Sequence, residues 1–188
     1  LPALALLTGA SQYHLARTWW ADGYEARAEV GEWPTPAEYL DAFASVTQTP
    51  RLSLEAWASA RHQAMTRIDG SIAALRRAAT LGRVSLLSNN PSATATALPI
   101  LAPDVVEILG ANQLFSYMLG ARKPGEAVYR RALDHYGVAA ANAFLADDSL
   151  ANCEGARAVG ITAHQLVEVD GVFHTDALLK SIERFAAR

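Results

Sequence analysis

Ala143-Phe144-Leu145-Ala146-Asp147-Asp148-Ser149-Leu150-Ala151-Asn152 is the stretch on which the fold turns. Four apolar residues have the length and character of a buried strand. They stop abruptly at two adjacent acids, and a helix is expected from Leu150 to Val159, closed by Gly160. Neighbouring carboxylates repel each other and resist burial. A cation removes that cost, and Mg²⁺ favours a few carboxylates together with waters and phosphate oxygens. Asp147 and Asp148 are therefore candidate metal side chains. The competing structural use is a helix cap by Asp148 or Ser149.

The same punctuation recurs upstream. Val84-Ser85-Leu86-Leu87 runs into Ser88-Asn89-Asn90, and Leu114–Leu119 runs into a loop carrying Arg122 and Lys123. Helical spacing covers about Gly70–Leu81, Pro124–Tyr136 and Thr175–Ala187, and Ile161–Val167 reads as a strand. Strands alternating with helices predict an open, parallel α/β sheet, whose ligands sit beyond the carboxyl ends of the strands. Three such ends offer a hydroxyl with amides, an ammonium and two carboxylates. Together they suit a phosphate and a divalent metal, because a phosphoryl group in transfer needs its oxygen charge stabilised. Lys123 is one of only two lysines, with Lys180, against fourteen arginines. A compact ammonium just ahead of a helix start suits a phosphate. Arg122 beside it reads as solvated.

Residues 1–66 show helices and no strand pattern. Ser11 can cap Gln12–Ala21. Thr35-Pro36-Ala37-Glu38 is a helix start with proline at the first position and an acid at the third. Tyr39, Leu40 and Phe43 follow at helical spacing. Ser53 opens a helix to about Thr66, with Leu54, Trp57 and Met65 as its apolar face. The aromatic group Tyr13, Trp19 and Trp20, with Arg17, suits packing better than substrate contact. His14 and His62 are the histidines most able to approach a substrate, and the five histidines lack metal-ligand spacing.

About half of the 188 residues are apolar, enough for a sizeable core. A formal charge of −3 argues against nucleic acid as a partner. The lone Cys153 rules out an internal disulfide, fits a reducing, cytoplasmic setting, and reads as a small buried residue. No apolar run reaches the ~18 residues of a membrane span. The opening Leu1–Leu7 lacks the flanks of a signal peptide.

Three stretches together, "LLSNN" (86–90), "GARKPGEAVYRRAL" (120–133) and "FLADDSLANCEGARAVGITA" (144–163), resemble motifs II, III and IV of haloacid dehalogenase-like hydrolases in order and spacing. Within that superfamily they look closest to the α-D-glucose-1-phosphate phosphatase and epoxide-hydrolase N-terminal-domain group. The resemblance implies a Rossmann-like core over 67–188, with a parallel sheet and helices on both faces. It also implies a small all-helical cap over 8–66. The implied reaction is Mg²⁺-dependent hydrolysis of a small phosphorylated metabolite through an aspartyl-phosphate. Ser88 and Asn89 would bind the phosphate, and Lys123 would both bind it and stabilise charge catalytically. Asp148 would be the metal ligand and Asp147 its support, or the group orienting Lys123. Asn152 would reach the metal through a water.

One motif is missing. The family's nucleophile is the first acid of a D-x-D after an apolar strand, and the first aspartate here, Asp22, lies in Ala21-Asp22-Gly23-Tyr24. Without that carboxylate no aspartyl-phosphate forms. A central strand should be absent with it, leaving its neighbours with unpaired edges. The expectation is an N-terminal truncation of a longer natural chain, inactive by itself, as monomer or homodimer. Two other functions are open: a non-catalytic phosphate- or metal-binding module, and carbon–halogen hydrolysis, which the pair Asp147–Asp148 disfavours.

Overall fold

A computed structural model describes residues 1–188. Contacts divide the chain into two compact units. Unit 1 comprises Leu1–Thr66, Ser88–Glu107 and Phe115–Gly120. Unit 2 comprises Arg67–Leu87, Ile108–Leu114 and Ala121–Arg188.

Unit 1 is helical. It begins with α1 (Pro2–Thr8) and α2 (Gln12–Leu15), which widens into a π-helical turn over Ala16–Ala21. A single regular helix was expected there. Thr18 Oγ1 donates to His14 O at 2.8 Å, and such back-bonding competes with the backbone ladder. After α3 (Tyr24–Ala28) comes α4 (Pro36–Thr47), which starts as the sequence dictates. Thr35 Oγ1 accepts from Glu38 N, and Glu38 Oε2 accepts from Thr35 N at 2.9 Å. That reciprocal box satisfies two orphan donors of the first turn. α5 (Leu54–His62) is shorter than expected. Its buried face ends with Trp57, Ala58 and Ala60, while Met65 is 49% exposed. Beyond His62 no apolar side chain reaches the core to hold another turn.

The core of unit 1 joins Leu15, Trp19, Tyr39, Leu40, Phe43 and Trp57 to Ala93, Ala97 and Leu101. The last three belong to α7 (Ser92–Leu101), which packs on α4 and α5. Thus residues just after the first strand share a core with the helical stretch 1–66. α8 (Pro103–Leu109) follows.

Unit 2 is α/β. It contains α6 (Asp69–Leu81), α10 (Glu126–Tyr136), α11 (Leu150–Ala158) and α12 (Thr175–Ala186). β1 (Leu86–Ser88) and β2 (Gln113–Phe115) form one two-stranded sheet. β3 (Phe144–Asp147) and β4 (Thr162–Gln165) form another, parallel, with Phe144 opposite Thr162 and Asp147 opposite Gln165. Burial across these strands runs opposite to that of a doubly covered parallel sheet. Leu114 of β2 is buried, whereas Leu86, Leu87, Phe144 and Leu145 are only half-buried and Ala146 is exposed.

Two further departures from the sequence reading have local causes. The run Leu114–Leu119 is not one extended segment: strand gives way at Ser116 to α9 (Ser116–Leu119), closed by Gly120 at φ 59°. A short apolar run carries no period that separates strand from helix. The strand expected to reach Val167 ends at Gln165. A hairpin follows, β5 (Glu168–Val169) with β6 (Val172–Phe173), turning on Asp170-Gly171, both at positive φ. Asp-Gly between valines is the signature of such a turn. No single helix is long and apolar enough to cross a membrane.

Gly155 of α11 lets that helix pass close to the Lys123-Pro124 segment. A Cβ there would lie 2.3 Å from Pro124 O and 3.0 Å from Tyr129 Cε2. Backbone cannot yield cheaply at that separation. Gly155→Ala is expected to destabilise the protein by about 1–3 kcal/mol, read as a fall of several degrees in melting temperature.

Candidate functional site

β3 delivers Asp147 at its carboxyl end, and its carboxylate is fully engaged. Oδ2 accepts from Lys123 Nζ at 2.7 Å. Oδ1 accepts from Ser149 N at 3.0 Å and from Asn152 Nδ2 at 2.9 Å. The local sequence builds this arrangement. Ser149 caps α11, its hydroxyl accepting from Asn152 N. One helical turn then brings the Asn152 side chain back over Asp147. Tyr129, fully buried on α10, donates its hydroxyl to Asn152 O at 2.6 Å and fixes that residue from the other side.

Lys123 is buried and makes a second bond, from Nζ to Leu87 O at 2.7 Å. Leu87 is the residue immediately before Ser88. One ammonium thus ties the end of β1 to the end of β3. The pair is well shielded, with side-chain exposures of 10% for Lys123 and 6% for Asp147. Burial alone would push the Asp147 carboxyl up. The hydrogen bonds from Lys123 and Asn152, the Lys123 charge and the Ser149 N–H outweigh it, and hold the group below the usual carboxylate range. Burial, with the Asp147 charge nearby, pushes the Tyr129 hydroxyl up to about 12. The same two causes raise the thiol of buried Cys153, whose Sγ donates to Asp147 O. A thiol so placed is a packed residue and a poor nucleophile.

Asp148 differs from its neighbour. It is exposed, and only its backbone carbonyl is engaged, accepting from Gln165 Nε2 at 3.1 Å. No three His, Cys, Asp or Glu side chains gather closely enough to hold a metal ion. The donor set of this chain therefore falls short of a magnesium site. It offers one uncommitted carboxylate, since Asp147 is held by Lys123 and the Asn152 amide is turned to Asp147.

Ser88 and Asn89 lie in unit 1. Ser88 Oγ accepts from Asn90 Nδ2 at 2.6 Å, and Asn90 N donates to Ser116 Oγ at 3.1 Å. Ser116 and Pro91 are completely buried, so the turn 88–91 is rigidly seated. Sequence reasoning missed Ser116. The available signal was its position directly after the apolar residues Leu114 and Phe115, as Ser88 follows Leu87. Among the other candidates, Trp19 is fully buried, stacked 5.7 Å from Tyr24 and set edge-on to Tyr39 and Phe43. Tyr13 is 79% exposed, Arg17 pairs with Asp22 at 3.3 Å, and His14 Nε2 is 2.7 Å from Thr47 O. Trp19 and His14 thus serve the packing of unit 1.

No family model matches the sequence, and no curated protein does. Solved structures do match. The HAD family enzyme BT-2542 from Bacteroides thetaiotaomicron superposes with a TM-score of 0.65 at 23% identity, over 79% of this chain and 74% of that one. The chain has a haloacid dehalogenase-type fold. The wild-type enzyme in complex with magnesium and inorganic phosphate superposes at 0.62, with 20% identity, over 82% of this chain and 86% of that one. An aspartate-to-alanine mutant in the same complex gives 0.63 at 18% identity, over 81% and 83%. The HAD-type fold, with its α/β core and helical cap, is thus shared at low identity.

Proposed function

We propose that this chain forms the cap and most of the core of a magnesium-dependent phosphomonoester hydrolase acting on a small phosphorylated metabolite. The observation that carries this is the buried Lys123–Asp147 pair at the carboxyl ends of two strands, beside the exposed carboxylate of Asp148. A buried ammonium at strand ends suits a developing phosphoryl charge. Lys123 is assigned to charge stabilisation and phosphate binding, and Ser88 and Asn89 to the phosphate. Asp148 would be this chain's contribution to a magnesium site that its donors do not complete alone, with Asp147 in support and Asn152 reaching the ion through a water. The ion, when bound, would supply neutralisation of phosphate charge. Residues 8–66 act as the cap and 67–188 as the core.

The nucleophile is not among these residues. Only Asp147 and Asp148 stand at the carboxyl end of a parallel strand. Asp147 is neutralised by Lys123, and Asp148 is the residue assigned to the metal. A D-x-D segment on a strand between β1 and β3 would complete the site. The division of the strands into separate pairs, with half-exposed apolar residues on β1 and β3, supports that placement. The paired acids favour phosphate over carbon–halogen substrates, and the comparison enzyme crystallised with magnesium and inorganic phosphate points the same way. The test is a fusion of an apolar strand ending in Asp-x-Asp, on a flexible linker, ahead of Leu1. Magnesium-dependent release of p-nitrophenol from p-nitrophenyl phosphate is expected, and loss of it in Lys123→Ala and Asp148→Asn. A folded fusion with no hydrolysis of any phosphomonoester tested would sink the assignment.

A further inference from the structure

We propose that the outer edge of β4 in unit 2 carries a binding site for a phosphate-type oxyanion, built by Arg157, His164 and Arg184. The site is distinct from the Lys123–Asp147 pair and independent of the proposed reaction.

The strand's own alternation sets the place. Thr162 N donates to Ala143 O and Leu166 N donates to Asp147 O, so these residues turn their backbone groups toward β3. Successive residues of a paired strand turn theirs to alternate sides. Ala163 and Gln165 therefore face the edge away from β3, where no further strand pairs. Arg157 reaches that edge from α11, its Nη2 donating to Ala163 O at 2.9 Å. This bond anchors the guanidinium and uses one of its several N–H groups.

The face follows from the register. Phe144 lies opposite Thr162, and Ala146 lies opposite His164. Side chains two apart share a face, and Phe144 packs on Phe185 of α12 with 5.4 Å between ring centroids. Half-buried His164 thus shares the face that α12 covers, whereas Asp147 points to the other. Arg188 Nη1 donates to Thr162 Oγ1 at 3.3 Å, tying the end of α12 to β4. Arg184 stands beside Phe185 in that same end. Burial, and then the charges of Arg157 and Arg184, hold the His164 imidazole below its ordinary value, and no carboxylate acts against them. Two guanidiniums from different helices therefore bear on one ring.

Like charges brought together this way repel, in a chain whose formal charge is −3. Neither guanidinium is neutralised by an ion pair. Glu183, next to Arg184, is turned to Arg77 at 3.1 Å, and Glu154, one turn before Arg157, does not pair with it. A bound anion removes the repulsion. Guanidinium forks match the paired oxygens of a phosphate, and a neutral imidazole adds one ring N–H. A tetrahedral dianion offers oxygens to all three groups at once, which a single carboxylate does not.

The test uses the full chain, with sodium phosphate as the probe. The readout is the proton–nitrogen correlation spectrum of the imidazoles at about pH 8, where ordinary histidines are neutral. His164→Asn assigns its ring among the five histidines. Phosphate, with ionic strength held constant by chloride, is expected to shift the His164 ring saturably, with a Kd of about 1 mM or below. The rings of His14, His62 and His135 are expected to stay in place. Arg184→Gln, which breaks no hydrogen bond or ion pair, is expected to weaken binding more than about tenfold. Arg184→Lys keeps the charge and is expected to restore part of the affinity. A shift that fails to saturate, that moves every histidine alike, or that persists unchanged in Arg184→Gln would overturn the proposal. Phenyl phosphate separates the two sources of the anion. Binding as tight as that of phosphate assigns the site to a phosphoryl terminus, and binding of phosphate alone assigns it to the free ion.

Discussion

p-Nitrophenyl phosphate incubated with this chain and magnesium is expected to stay intact. A carboxylate nucleophile must be ionised, uncommitted and aimed at phosphorus from a strand end. Asp147 is ionised, but both of its oxygens are bound, to Lys123 on one side and to Ser149 and Asn152 on the other. Asp148 is uncommitted, but it lies exposed beyond the end of the strand. Cys153 is buried, with its thiol raised by that burial. The expected difference between this chain and an active phosphatase is therefore the whole enzymatic acceleration, of many orders of magnitude. Continuous absorbance at high enzyme concentration measures it. Turnover that vanishes in Asp148→Asn would show that the chain holds a nucleophile of its own.

Lys123→Met is expected to cost about 3–5 kcal/mol of stability, because it leaves the Asp147 carboxylate buried without its counter-ion. The loss adds to the removal of the tie to Leu87 O. Asp147→Asn should cost less, since the amide keeps hydrogen-bonding capacity while giving up the charge pairing. The pair also sets a pH dependence. The folded Asp147 carboxyl lies below its ordinary value, so the folded state binds its proton less readily than the unfolded state does. Its contribution is complete above the ordinary carboxylate pKa of about 3.9 and is lost as pH falls through the lower folded value. Urea unfolding followed by circular dichroism should show stability rising with pH across that acid range. Asp147→Asn should flatten the rise. An unchanged slope in Asp147→Asn would assign the acid sensitivity to other groups.

Much of this was legible in the residues, for local reasons. Thr35-Pro36-Ala37-Glu38 builds its capping box from side chains three apart, so no tertiary information is needed. The adjacency of Asp147-Asp148 to an apolar strand and a capped helix brings Asn152 back by one helical turn. The partner of each acid was not legible from the residues alone, and only the family resemblance offered Lys123 to Asp147, as one of two alternatives. Asp147 and Asp148 alternate to opposite faces of an extended segment, and only packing decides which one meets Lys123, 24 residues away in sequence. Ser116 had only its place after an apolar run to mark it, and its partner was hidden, because its hydroxyl works on the backbone of Asn90 across a gap of 26 residues. Met65 looked like part of an apolar face, and α5 ended before reaching it. Asp170-Gly171 was readable as a hairpin turn and was overlooked within a longer apparent strand.

The distribution of aromatic residues has an optical consequence. All four tryptophans, Trp19, Trp20, Trp33 and Trp57, belong to unit 1, each in ring contact with Tyr24, Tyr39 or Phe43. Unit 2 has no indole. Emission excited at the red edge of protein absorbance therefore reports the helical unit alone. Indole emission is thus a label-free signature of unit 1, to which unit 2 contributes no tryptophan.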